Sequence, residues 1–247
     1  MNIALIGYGK MGRTIEALGK DQGHAFPLII DLENSTDLSQ ENLAGVDVAI
    51  EFTSPDSAPG NIITCIDYQI PVVSGSTGWN ERFGEVERYC ISRDGAFFYA
   101  SNFSIGVNIL FAMNRQLARI MNQFQGYSVS MKEVHHIHKV DAPSGTAITL
   151  AEQIMDEHDR IDRWSLPEPE DNTDPDGAEG QDNLVIEAIR EGEVKGKHSI
   201  QYESNVDSIT LSHHAKSRDA FASGVFLAAD FIKGKTGVFG MKDLLRF

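Results

Sequence analysis

The densest run of chemically able side chains is His135-His136-Ile137-His138-Lys139, followed at once by Asp141-Ala142-Pro143-Ser144-Gly145-Thr146. Imidazoles titrate near neutral pH and the lysine adds a fixed positive charge, so the segment can bind carboxylates and move protons. Ser144 is placed to cap a following helix, whose first amides, on Gly145 and Thr146, would form an anion site. Two anion-binding devices side by side predict a dianionic substrate. A metal centre is the first alternative: along a strand, His136 and His138 would share a face as two ligands. Against it, Lys139 brings a repelling charge and no Cys or Glu at a familiar ligand spacing completes the set, so no metal is expected. The other alternative is a histidine cluster without function, which would have to carry three imidazoles and an amine that are costly to bury unpaired.

A second constellation opens the chain. Gly7-Tyr8-Gly9-Lys10-Met11-Gly12 fits G-x-G-x-x-G, directly after an apolar run and at the start of a helical one. Glycines there permit a tight turn and a close approach to a pyrophosphate, which the helix N-terminus then stabilises. Asp31 ends the next apolar run and can accept hydrogen bonds from the ribose hydroxyls of NAD. Leu32, Glu33 and Asn34 follow it, with no base to receive a 2′-phosphate, so NADH is favoured over NADPH. Ser74-Gly75-Ser76-Thr77-Gly78 lies at another strand-to-helix junction, where small residues let the chain pass close to the nicotinamide half of the cofactor. Ala100-Ser101-Asn102-Phe103 ends the last strand of this series and is the expected place for a hinge between domains.

Positioning these residues takes two kinds of architecture. Apolar runs at 2–6, 26–30, 46–52, 71–73 and 96–99 alternate with helical stretches at 12–21, 61–68 and 81–91. That alternation marks βαβ units and a doubly wound parallel sheet of Rossmann type. After Asn102 the pattern changes. A helix from a Ser104 cap to about Phe124, a strand at 127–135 and a helix at 144–157 precede strand-like runs at 184–190, 198–203 and 208–214. This is an α+β substrate and oligomerisation domain. The helix at 221–232 is expected to pack back on the first domain, with 238–245 as a closing segment. The domains are therefore 1–103 with 218–247, and 104–217. Between Asp159 and Asp182, nine acidic residues and three prolines predict a solvated loop or flap.

The 247 residues leave room for one large or two modest domains, and 41% hydrophobic against 23% charged residues permits a buried core. Arg plus Lys is 21 and Asp plus Glu 36, a net charge of −15, which a nucleic-acid backbone would repel. No apolar run approaches the ~20 residues of a membrane span, and no basic n-region opens the chain, so neither membrane nor export is expected. Cys65 and Cys90 lack a C-x-x-C spacing and are expected as two buried thiols in a reducing, cytoplasmic compartment.

Together, Lys-Met-Gly at 10–12, Gly-Ser-Thr-Gly-Trp at 75–79, Ala-Ser-Asn-Phe-Ser at 100–104 and the whole of 135–146 resemble the dihydrodipicolinate reductase family. The resemblance spans essentially the whole chain, including 237–245. It implies a two-domain, cytoplasmic homotetramer that uses NADH or NADPH. The implied reaction reduces the dicarboxylate 4-hydroxy-tetrahydrodipicolinate, with loss of water, in the diaminopimelate route to lysine. By matching positions it makes His135 a proton donor and acceptor and Lys139 a proton donor, with His136, Ser144, Gly145 and Thr146 on the substrate. Gly7, Tyr8, Gly9, Lys10, Met11, Gly12, Asp31, Gly75, Ser76, Thr77, Ala100, Ser101, Asn102 and Phe103 would contact the cofactor. The chain departs from the family pattern in a phosphate loop one residue shorter, and its acidic 159–182 segment matches nothing with a role. Two rival readings are a dehydrogenase for an amino acid or sugar and a non-catalytic dinucleotide-sensing protein of the same fold.

Overall fold

A computed structural model describes residues 1–167, 182–217 and 219–247. The chain divides into two compact units, Met1–Ile105 with Arg218–Phe247, and Gly106–Ser217.

In the first unit, β1 (Asn2–Ile6), β2 (Ala25–Ile30), β3 (Val48–Glu51), β4 (Val72–Ser74) and β5 (Ala96–Tyr99) alternate with α1 (Lys10–Asp21), α2 (Ala58–Asp67) and α3 (Asn80–Ser92). All pair in parallel in the order β2-β1-β3-β4-β5, with β11 (Gly237–Phe239) added beside β5. Such strands are buried on both faces, which is why they read as short unbroken apolar runs. Ile3, Leu5, Ile50, Val73 and Phe98 face one core, shared with α6 (Asp219–Ile232); Ala4, Ile6, Ala49, Val72 and Phe97 face a second, shared with α2 and α3. The order reverses between β1 and β3, and the carboxyl ends of strands flanking such a switch point form a ligand-binding crevice. Register sharpens this placement. Ile30, Ile6, Glu51, Ser74 and Tyr99 are mutual partners across the sheet, so Asp31, Gly7, Phe52, Gly75 and Ala100 follow as the next row along its carboxyl edge.

The second unit holds α4 (Ile105–Met121), whose first residue belongs to the first unit, then β6 (Ser128–His135), α5 (Gly145–Glu157), β7 (Arg163–Ser165), β8 (Asn183–Arg190), β9 (Lys197–Glu203) and β10 (Ser208–His214). The sheet runs β10-β9-β6-β8-β7, with β9 antiparallel to both β6 and β10 and β8 parallel to both β6 and β7. Alternate residues point to one face, so Met131, Ile186, Ile200 and Tyr202 bury against Leu110, Ala118 and Met121 of α4 and Leu150, Ala151 and Ile154 of α5. Asn114, buried in α4, donates to Leu150 O at 3.0 Å and ties the two helices together.

Several expectations needed correction. The segment 159–182 is not wholly loop: β7 lies within it and pairs with β8. Residues 168–181 of that expected flap lie outside the described residues. A 3-10 turn at Leu32–Asp37 follows Asp31, and α2 begins three residues early because Pro59 sits in its first turn, where a missing N–H costs nothing. The closing segment splits into β11 and α7 (Met241–Leu245). Among the described residues, no helix is long and apolar enough to cross a membrane.

Candidate active site

At the first sheet's carboxyl edge each glycine of the opening motif has its own physical reason. Gly7 has φ +98°, and a Cβ there would lie 2.0 Å from Phe52 O, so any side chain would drive β1 off β3. A Cβ on Gly12 would stand 2.2 Å from Gly7 O, so α1 seats against its own loop only with glycine there. Gly9 is different. It is exposed, and nothing lies within 4 Å of the Cβ it lacks. It precedes α1, whose N-terminus has no side-chain cap and no acidic residue in its first turn. The first amides of α1 are thus left for an anion of pyrophosphate size, and the loop fits a dinucleotide. Tyr8 turns away from this opening: its hydroxyl donates to Glu16, which Lys20 holds at 2.7 Å, while the Arg13 guanidinium lies 4.3 Å from its ring centre. Lys10 is exposed and Met11 half-buried against the core.

Asp31 is exposed at the end of β2, and one carboxylate oxygen caps the following turn through Leu32 N at 2.8 Å. Leu32 beside it is 92% exposed and brings no charge. Between β4 and α3, Ser76 is buried and Thr77 exposed, and the Trp79 indole fixes the loop by donating to Ser76 O at 2.8 Å. Beneath the loop lies Glu51, fully buried at the end of β3. It accepts from Ser74 Oγ at 2.5 Å, Ser76 Oγ at 2.8 Å, Thr53 N at 2.9 Å and the Thr53 hydroxyl. Of the last expected cofactor segment, Ser101 is exposed, Asn102 half-buried and Ala100 nearly buried. Phe103 is a core residue, stacked near Phe52 and Phe98, and its carbonyl would meet a Cβ on Gly224 of α6 at 1.8 Å.

In the second unit β6 ends at His135, so His136, Ile137 and His138 form a turn and not a strand. The shared-face premise of a His136–His138 metal site therefore fails. His138 is exposed and pairs with Glu193 at 3.4 Å. His136 is half-buried, and Lys139 Nζ holds both oxygens of Asp141 at 2.8 Å, which keeps that carboxyl below its usual range. Ser144 caps α5 by accepting from Ala147 N at 3.2 Å, so its hydroxyl is committed, and it also bonds His198 Nε2 at 3.0 Å. Gly145 and Thr146 contribute the remaining first-turn amides, with Gly145 exposed.

Sequence reasoning passed over three residues behind this segment. Glu133, 0% exposed, touches His135 Nδ1 through one oxygen and accepts from Arg190 Nη2 at 3.0 Å and Ser144 N at 3.3 Å through the other. Burial alone would raise its pKa, but the hydrogen bonds and charges of His135 and Arg190 outweigh burial and hold it below the ordinary carboxylate value. His198 crosses the His135 ring edge-on at 5.1 Å, and burial, reinforced by His135, pushes its pKa down to about 4. Ligand-capable atoms of Glu133, His135 and His198 lie within 4.8 Å of one another, a grouping the metal reading had missed. Arg190 already gives that carboxylate a positive partner, 3.0 Å from its other oxygen. The signal for Glu133 was its spacing: two residues before His135 on a strand, it must share the buried face.

Residues 1–103 match the model of the dihydrodipicolinate reductase N-terminus, and residues 106–245 that of its C-terminus. Over 247 residues the chain is 46% identical to a curated 4-hydroxy-tetrahydrodipicolinate reductase of Christiangramia forsetii, covering 99% of this chain and 98% of that one. A reductase of the same name from Neisseria meningitidis is 33% identical over 93% of this chain and 83% of its own. Among solved structures, a dipicolinate-bound dihydrodipicolinate reductase from Paenisporosarcina is similar in fold, with TM-score 0.78 at 21% identity over 98% of this chain and 99% of that one.

Proposed function

Since the chain belongs to the dihydrodipicolinate reductase family, we propose that residues 135–146 are its substrate and proton-transfer site and the first sheet's carboxyl edge its nucleotide site. The activity is NAD(P)H-dependent reduction of 4-hydroxy-tetrahydrodipicolinate in diaminopimelate and lysine biosynthesis. The observation that carries the site assignment is that Lys139, His135 and the free first turn of α5 belong to one short segment. Cation and helix N-terminus bind a dicarboxylate, while His135 has one ring nitrogen occupied by Glu133 and the other left for proton exchange.

A bound nicotinamide supplies the hydride. Gly7, Gly9, Gly12 and the α1 amides would hold its pyrophosphate and Asp31 its ribose, with Thr77, Ser101 and Asn102 as the accessible side chains of the other two segments. The net reaction takes up a hydride and a proton and releases water. Lys139 donates that proton, becoming a neutral amine and leaving Asp141 without its counter-charge until the amine is reprotonated, while His135 takes up and returns the proton moved as water is lost. His136, Gly145 and Thr146 orient the carboxylates, with Ser144 shaping the site as the cap that aims those amides. An uncharged Leu32 after Asp31 supports NADH as the preferred nucleotide, since a 2′-phosphate would meet a carboxylate and no base. The assembly and location proposed are a cytoplasmic homotetramer; sedimentation and cell fractionation test both.

The test of the activity generates the unstable substrate from pyruvate and aspartate semialdehyde with dihydrodipicolinate synthase, and follows NADH and NADPH loss separately. Oxidation that requires the complete substrate system, faster with NADH, is expected. Folded protein that binds a nucleotide and oxidises none would bring forward the sensing protein instead.

A further inference from the structure

We propose that the buried Glu133–Arg190 pair is a positioning device that sets both proton-handling side chains at once. The proposal rests on the roles given to His135 and Lys139 above. Neither Glu133 nor Arg190 is needed to hold the sheet together, since backbone ladders join β6 to β8 and β9 on both sides. Their side chains do something else. Arg190 is the register partner of His135 across the β6–β8 ladder, so its guanidinium starts beside that imidazole. From there it donates to Glu133 Oε1 at 3.0 Å, to Asp141 O at 2.6 Å and to Lys139 O at 3.3 Å. One planar fork therefore grips the backbone of the loop at two points on either side of Val140, and a lysine could not span them.

Glu133 completes the device from the other side. Its second oxygen takes His135 Nδ1, and its first also receives Ser144 N at the head of α5. A carboxylate on Nδ1 keeps that nitrogen protonated in the neutral ring and directs Nε2 to the working side. Gly196 keeps Nε2 uncovered, because a Cβ there would stand 3.1 Å from it. The arrangement brings β6, the 136–143 loop and the α5 N-terminus to a single carboxylate. Such a buried group would be an expense without return if it only stabilised the fold, since buried ion pairs seldom outperform apolar packing.

The test is a double-mutant cycle between Glu133→Gln and His135→Ala, with turnover, substrate KM and NADH Kd measured on each variant. Glu133→Gln is expected to lower kcat by about 100-fold, the scale of a lost acid–base contribution, with KM and NADH Kd within about threefold. In the His135→Ala background it should cost little more, because the amide oxygen that replaces Oε1 still accepts from Arg190 and leaves the Lys139 loop in place, while the lost hold on His135 has nothing left to act on. Glu133→Asp, which keeps the charge, should recover part of the loss. A structural role predicts instead that the two losses multiply; that result, or a Glu133→Gln enzyme turning over within threefold of wild type, overturns the proposal. If Glu133→Gln fails to fold, the same cycle is run with Glu133→Asp, and multiplying losses there count equally against it. Full turnover in His135→Ala alone would instead remove the underlying role of His135.

Discussion

Two fully buried glutamates, one in each unit, solve the same physical problem in opposite ways. Glu51 is satisfied by three hydroxyls and an amide, and the described residues give it no ion pair. Glu133 is satisfied by an imidazole, a guanidinium and an amide. A carboxylate among neutral donors fixes backbone, here the loop at 74–77, and moves no charge. A carboxylate between two ionisable partners couples geometry to protonation. The contrast fits the proposed division of labour, in which one region holds a cofactor that brings its own chemistry and the other delivers protons.

Substitutions can break that contrast. Lys139→Ala should have the largest effect, lowering kcat by a factor on the order of 10² to 10⁴ with NADH Kd unchanged; steady-state rates beside a fluorescence titration check it. Near-normal turnover would remove Lys139 as proton donor. Next comes acid stability. His198 has its folded pKa depressed from 6.5 to about 4, so between those values the unfolded chain binds the proton and the folded one refuses it. Stability is therefore full above pH 6.5 and falls as pH drops toward 4, by up to about 3 kcal/mol. Glu133, also depressed, extends the loss below its unfolded value near 4.5. Urea unfolding from pH 7 to 4 should show the fall, and His198→Gln should reduce the part above pH 4.5, leaving what His24, His158 and His213, also depressed by burial, contribute.

The first unit should respond differently. Gly9→Ala meets no protein atom and keeps an ordinary φ of −77°, so its melting temperature should stay within about 2 °C of wild type. Its NADH Kd should nevertheless rise more than tenfold, because the new methyl occupies the phosphate path; calorimetry and thermal melts together test this. The smallest effect is expected at Asp31. Asp31→Asn should shift the NADH:NADPH ratio of kcat/KM toward NADPH by about tenfold, the loss of one charge-assisted hydrogen bond.

Much of this is legible in the sequence, though unevenly. The glycine loop, Asp31 and the Ser144 cap are local signals, since turn, strand end and helix start follow from neighbours in sequence. The parallel strands were equally plain, because burial on both faces leaves unbroken apolar runs. Arg190 and His198 were not legible, because their meaning comes from ladders that bring residues 55 and 63 positions away beside His135. Glu51 was hidden for a related reason: a carboxylate inside an apolar strand reads as an exception until Ser74 and Ser76 arrive from β4 and the loop after it. β7 is three residues long and paired to a distant strand, too short for any periodicity to declare.

In the proposed division of labour the second unit supplies the protons and the first only holds the nucleotide. Measuring kcat and NADH Kd side by side for His135→Ala and Gly9→Ala tests it most directly. His135→Ala is expected to lose turnover with its Kd intact, and Gly9→Ala to lose affinity while regaining most of its turnover at saturating NADH. Equal losses of turnover and affinity in His135→Ala would contradict it.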